Sequence, residues 1–351
     1  MKKRQLNSLL IIALPVSGIL AAGIGAMHIS PLQVITILLD KVSLHLPVAY
    51  DEGMAGVLMI IRLPRVVMGM MVGAGLAISG AALQGLFRNP LADPGLIGIS
   101  AGASFFAVLL IVGASSMTFL LPTGILLQHY LLNIITFVGA CLTSFVVFRL
   151  SRTGGKTLIA TLLLAGTAIN ALFGAFTGLI TYMADNDQLR SITFWTLGSL
   201  GAATWSNVLG LTPFILLPVI ALPRLSRSLN AFALGEAEAA YMGVHVRRLK
   251  LQIIVFSTLA VGACVAVSGI IGFVGLIVPH ILRTAAGNDH SHLLINSALL
   301  GGTLLTLADI VSRTIIAPAE LPIGIVTAIL GTPLFIGLLL KQKKQMFGLA
   351  T

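Results

Sequence analysis

Long apolar runs separated by short polar stretches dominate the chain. A helix that crosses a bilayer needs about 20 mostly apolar residues. By that measure ten stretches qualify: 7–27, 58–83, 95–113, 130–148, 158–182, 205–222, 251–268, 270–283, 293–316 and 322–340. The eighth is short for a full crossing. It is expected to be tilted, partly re-entrant or sheltered by its neighbours, because irregular backbone at membrane depth must be buried in protein. The pattern predicts an all-α fold: a polytopic membrane protein of about ten transmembrane helices, with residues 1–351 as a single transmembrane domain.

Two stretches interrupt the apolar rhythm. Residues 28–57 have mixed polarity and are expected to form a loop on the outer side. Residues 223–250 form the longest polar stretch. Within it, Leu229, Phe232, Ala233, Ala237, Ala240 and Tyr241 fall near helical spacing, Gly235 breaks the pattern and Gly243 can end it. Two readings stay open: a pair of short helices under the membrane that present Glu236 and Glu238 to a cytosolic partner, or a solvated loop.

Composition agrees with the pattern. Of the residues, 57% are hydrophobic and 9% charged, against roughly 25% charged in a soluble domain. The net charge of +10 raises the question of nucleic acid, but the basic residues sit in short clusters between apolar runs. With the N-terminus inside, 16 of the 21 Lys and Arg residues fall on the cytoplasmic side, and the even number of crossings returns the C-terminus there. Aromatic residues are only 6% of the chain and do not interleave with a basic stripe, so nucleic acid is not an expected partner. The basic start, Met1 to Arg4, followed by an apolar run to Met27, is expected to be a retained first helix: the run exceeds the ~7–15 residues of a signal-peptide core. Cys141 and Cys264 lie inside apolar runs without metal or redox spacing, as packing residues do.

Candidate chemistry is sparse. Gly154-Gly155-Lys156-Thr157 ends like a phosphate-binding loop, but Leu150 occupies the position of the first glycine and an apolar helix precedes it in place of a strand. ATP hydrolysis is therefore expected in another chain. No metal or cofactor motif stands out. The ionisable residues cluster at span ends, which argues against a membrane-embedded enzyme or an ion-coupled secondary transporter. Gly69/Gly73, Gly98/Gly102 and Gly174/Gly178 form GxxxG pairs, expected to pack helices closely within one bundle. Arg62, Arg65 and Arg313 break the inside-positive trend at the outer ends of the second and ninth spans. They suggest either interfacial anchors, with Asp309 paired to Arg313 one turn on, or a basic outer rim that captures an acidic partner.

The segment RLPRVVMGMMVGAGLAISGAALQGLFRNPLADPGLIGISAGAS at 62–104 resembles the permeases of bacterial ABC importers for iron chelates and vitamin B12. So do LNAFALGEAEAAYMGVHV at 229–246, GIIGFVGLIVPHILR at 269–283 and ADIVSRTIIAPAELPIGIVTAILGTPLFIGLLLK at 308–341. The resemblance runs from about residue 56 to the C-terminus in the expected order. It implies a ten-helix subunit in the bacterial inner membrane, paired with itself around a pore. Two cytosolic ATPase subunits, which hold ATP and Mg, would bind beneath, and a periplasmic substrate-binding protein above. It also implies residue roles. Arg62, Arg65 and Arg313 match positions that receive carboxylates of the binding protein. Leu234, Gly235, Glu236, Glu238 and Gly243 match the segment that couples to the ATPase. Asn89 and Leu91, with Ile159 and Ala160, match elements of the cytoplasmic gate; the last two positions are hydroxyl residues in the vitamin B12 permease and apolar here. The cargo is expected to be haem, with ferric siderophore and vitamin B12 as alternatives.

Overall fold

A computed structural model describes residues 3–113, 125–153 and 156–346. Each of the ten apolar runs becomes a helix. In chain order these are α1 (Lys3–Gly23), α2 (Pro31–Asp40), α3 (Glu52–Val57), α4 (Leu63–Phe87), α5 (Ile99–Gly113), α6 (Ile125–Leu150), α7 (Ile159–Tyr182) and α8 (Asn186–Leu197). There follow α9 (Trp205–Arg224), α10 (Ser226–Leu234), α11 (Glu236–Tyr241), α12 (Val246–Ser268), α13 (Val274–Ala286), α14 (His290–Thr314) and α15 (Ile323–Met346). Among the described residues, seven helices are long and apolar enough to cross a membrane; Ile99–Gly113, Val274–Ala286 and Ile323–Gly337 are apolar but shorter. The chain is a multi-pass membrane protein.

The stretch 28–57 is not the loop its mixed polarity suggested. Ser30 caps α2, accepting from the Gln33 N–H while the Gln33 side chain accepts from the Ser30 N–H, and Pro31 presets the first helical turn. Asp51 caps α3, which runs through a π-helical turn, Leu58–Arg62, directly into α4. The second span thus starts a full turn earlier than apolarity alone indicated. Helix α8 lies in a connection too polar to register as a span; the Asp185–Gln188 capping box starts it.

Helices α4, α12 and α14 form the centre. Gly73 and Gly301 put the α4 and α14 backbones in contact: a Cβ at Gly73 would sit 2.2 Å from the Gly301 carbonyl oxygen. A Cβ at Gly80 would sit 1.9 Å from that of Gly275 on α13. Gly98 and Gly102 likewise face α6 through Thr143. The third pair departs from expectation, since Gly174 and Gly178 on α7 have nothing within 4 Å. The difference runs along whole helices: 78% of the most apolar stretch of Glu52–Phe87 is buried, against 11% for α7.

The eighth span is a half-helix. After α12 ends, residues 269–273 are non-helical, Gly269 and Phe273 take φ of 69° and 68°, and only then does α13 begin.

Residues Arg152–Thr153 and Lys156–Thr157 pair as a two-residue antiparallel hairpin between α6 and α7. The segment before it is helix, as expected from sequence, while Gly154 and Gly155 lie outside the described residues.

Candidate functional site at two ends of the bundle

The arginines gather at one end, but they do not form an exposed rim. Arg62, in the π-helical turn, is 5% exposed. Its guanidinium donates to the carbonyls of Ala22 at 2.7 Å and Gly23 at 2.8 Å, and also to Met27. The first two are carbonyls that the end of α1 leaves without helical partners, where a cation is favoured. Arg313 reaches the Ala21 carbonyl and approaches Asp309 at 3.5 Å, the i,i+4 pair expected from sequence. Arg65 is buried against Asp309, with Nε 3.0 Å from Oδ1 and 3.1 Å from Oδ2, and donates to Glu320 Oε1 at 2.7 Å. Arg65 and Arg313 thus hold the two carboxylates, and Arg62, held by backbone carbonyls, leaves one surplus positive charge at this end. The Glu320 side chain is 44% exposed and is the member open to solvent. Of the two readings the sequence left open, the Asp309–Arg313 pair is present, and the three arginines form a buried clasp tying α1, α4 and α14 together. Sequence could not show this, because the partners of Arg62 are backbone carbonyls 35 to 40 positions away.

At the opposite end, α10 and α11 resolve the two readings of 223–250 in favour of paired short helices. Gly235 joins them at φ 148°, where a Cβ would fall 1.7 Å from Glu238 Oε2. The φ favours glycine there, while the Glu238 carboxylate is the movable end of an exposed side chain. Phe232 is fully buried beneath, with Lys250 Nζ and the Arg88 guanidinium 5.9 and 5.8 Å from its ring centre. The outer face is apolar: Leu234 is 70% and Tyr241 91% exposed, with Met242 beside them. Glu238 is exposed, as expected, and so is Gly243. Glu236 is only half free, because Lys250 Nζ lies 2.8 Å from both carboxylate oxygens and also donates to the Thr157 carbonyl at 2.8 Å. Lys250 therefore ties α11 to the residues just before α7. Asn230 makes a similar tie: its amide nitrogen donates to Asp289 at 2.8 Å and its oxygen accepts from the His290 N–H at 2.9 Å. Sequence reading singled out neither Lys250 nor Asn230. A lysine inside a basic cluster and an asparagine in an amphipathic stretch carry no signal of distant partners.

The expected gate residues lie at this same end on two elements. Asn89 follows α4, exposed, with its side-chain oxygen accepting from the Leu91 N–H at 3.0 Å; Leu91 is half-buried. Ile159 and Ala160 open α7, half-buried and exposed respectively. Among the described residues, no group of three or more His, Cys, Asp or Glu side chains is placed to hold a metal.

The model of the FecCD transport family matches residues 10–341. The chain is 49% identical over 289 residues to the hemin transport system permease protein HmuU of Yersinia pestis, covering 82% of this chain and 84% of that protein. It is 39% identical over 283 residues to the vitamin B12 import system permease protein BtuC of Vibrio vulnificus, covering 80% and 82%. A solved inward-facing structure, described as of the metal-chelate ABC transporter type, superposes with a TM-score of 0.82 at 34% identity over 96% of this chain and 99% of that one. With the ten apolar helices, the glycine-packed centre and the paired short helices at one end, these likenesses make the chain a member of the FecCD transport family.

Proposed function

We propose that this ABC importer permease moves an iron chelate, haem foremost, across the bacterial inner membrane as a homodimer driven by two separate ATPase subunits. The observation that carries the cargo is the 49% identity to a hemin permease, against 39% to a vitamin B12 permease over a similar length. Vitamin B12 and ferric siderophores are the alternatives. The permease makes no covalent bonds and holds no cofactor; ATP and Mg belong to the ATPase. The whole chain works as one translocating domain, with both termini cytoplasmic.

Residue roles follow from the two ends. The shelf of Leu234, Tyr241 and Met242, hinged at Gly235 and bounded by Glu238 and Gly243, docks on the ATPase. Lys250, bonded to both Glu236 and the Thr157 carbonyl, passes its motion to α7. There Ile159 and Ala160 form a gate with Asn89 and Leu91. The partner protomer and lipid cover α7, whose Gly174 and Gly178 face away from this chain's own helices. At the other end, the substrate-binding protein engages the clasp. Its carboxylate displaces Glu320 from Arg65, while Arg62 and Arg313 hold the frame.

The test is reconstitution with the ATPase and binding protein in proteoliposomes, followed by uptake assays with haem, vitamin B12 and a panel of ferric siderophores. ATP-dependent uptake of haem alone supports the cargo. Uptake of another chelate with no haem transport replaces it, and uptake without an ATPase removes the importer reading.

A further inference from the structure

The non-helical segment 269–273 faces a second irregular stretch across a cavity. The other wall is Asp93 and the short 3-10 turn Pro94–Ile97, which precede α5. The cavity has a volume of about 370 Å³ and is also lined by Ser100, Asn170 and Leu76. Its depth follows from the helices. Leu76 lies three turns from the end of α4 at Phe87, and Asn170 three turns from the start of α7 at Ile159. At 1.5 Å per residue both are about 17 Å from the coupling end. In a hydrocarbon core about 30 Å thick, that is close to the middle.

Backbone in that position must be satisfied by protein or by water. On one wall, the N–H groups of Ile270, Ile271, Gly272 and Phe273 have no hydrogen-bond partner among the described residues. On the other wall, the Asn170 side-chain nitrogen donates to the Gly95 carbonyl at 3.0 Å, but its buried oxygen has no partner. Asp93 accepts from the Gly95 N–H at 2.7 Å through Oδ1. Unpartnered donors on one wall and an unpartnered acceptor on the other therefore line the same cavity.

We propose that this cavity is a water site: an ordered cluster bridging Asp93 and Asn170 to the free N–H groups of 270–273. Water fits because it both donates and accepts. A bare cation would leave the N–H donors unsatisfied, and an apolar group would leave every one of these atoms unsatisfied. At about 30 Å³ per water the volume holds on the order of ten molecules. The cluster joins α7, through Asn170, to the break between α12 and α13. Water contacts exchange readily, so the joint lets those two parts shift without breaking direct bonds.

Hydrogen exchange of the full-length protein in lipid nanodiscs, read by mass spectrometry, tests this. Amides of 270–273 are expected to exchange within seconds, while those in the middle of α12 and α14 stay protected for hours. A Cβ at Gly272 meets no atom within 4 Å, so Gly272→Leu fills the cavity without a backbone clash. It is expected to slow exchange at Ile270 and Ile271 at least tenfold, with protection of α12 and α14 unchanged. Asn170→Leu, which removes the bridge from the other wall, is expected to slow it less. Protection of 270–273 equal to that of the flanking helices in the unaltered protein overturns the proposal. So does fast exchange that Gly272→Leu leaves unchanged, since it then reports opening of the chain rather than resident water. Neither outcome depends on the cargo or on the ATPase.

Discussion

The two ends of the bundle use charge in opposite ways. At the arginine end, charge is buried and paired: Arg65, Asp309 and Arg313 are all shielded, and the guanidiniums finish the carbonyls of α1. At the opposite end, an apolar shelf of Leu234, Tyr241 and Met242 lies exposed among charges such as Glu238, Arg247 and Arg248, with the Lys250–Glu236 tie beside it. A buried ion pair is costly to half-remove but adds little net stability compared with an apolar pair. An exposed apolar shelf adds nothing until a partner covers it. The first end therefore fixes the frame, and the second waits for contact.

The sharpest way to break this contrast is Arg65→Ala, which leaves the buried Asp309 with only its longer, 3.5 Å contact to Arg313. It is expected to cost about 3–5 kcal/mol, measured by chemical denaturation in detergent. The triple change Arg65→Met, Asp309→Leu and Arg313→Met, which leaves no clasp charge without its partner, should recover at least half of that loss while still losing the binding protein. A triple variant as unstable as Arg65→Ala would mean the clasp does more than balance its own charges.

Next in size is the shelf. Tyr241→Asp, at an exposed position, should leave stability within ~0.5 kcal/mol. It should weaken ATPase association about 30-fold, the scale of an aromatic hot spot, as read by co-purification or surface plasmon resonance. An equal loss of stability would show that the shelf is part of the frame. Gly235→Ala should act on both, costing ~1–3 kcal/mol locally because of its φ and the Glu238 carboxylate, with ATPase stimulation falling alongside.

The smaller effects concern exchange at the arginine end. Glu320→Gln removes the half-exposed competitor for Arg65 and should tighten docking up to about 5-fold, as expected for a pair worth no more than ~1 kcal/mol. Weaker docking would mean that Glu320 itself contacts the partner. Smallest is a pH effect beside α2. The Tyr50 hydroxyl donates to Asp40 at 2.6 Å and His45 lies at 2.9 Å; these contacts hold the Asp40 carboxyl below its ordinary value of 3.8. A lowered carboxyl contributes stability that is full above its unfolded value and fades as pH falls through the lowered one. Protection of residues 41–50 should therefore drop below about pH 4, and Tyr50→Phe should flatten that dependence in hydrogen exchange.

Much of this was legible beforehand. Ten apolar runs located ten helices, because in a bilayer length and apolarity nearly decide the matter. The 229–246 stretch located the paired short helices, because Gly235 marks the break between them. What stayed hidden depends on neighbours. The helix at 31–40 needed its cap, not its hydropathy, and the outward face of Gly174 and Gly178 looks in sequence like the inward face of Gly69 and Gly73.

By itself, the sequence determined the membrane class, the order of the apolar helices and the family. These rest on local pattern and on motifs that keep their spacing. Only the tertiary structure decided where the arginines point, that Lys250 and Asn230 tie the coupling pair down, and that the eighth span opens onto a polar cavity. Each of these depends on groups far apart in the chain, several of them backbone atoms, which no side-chain pattern encodes.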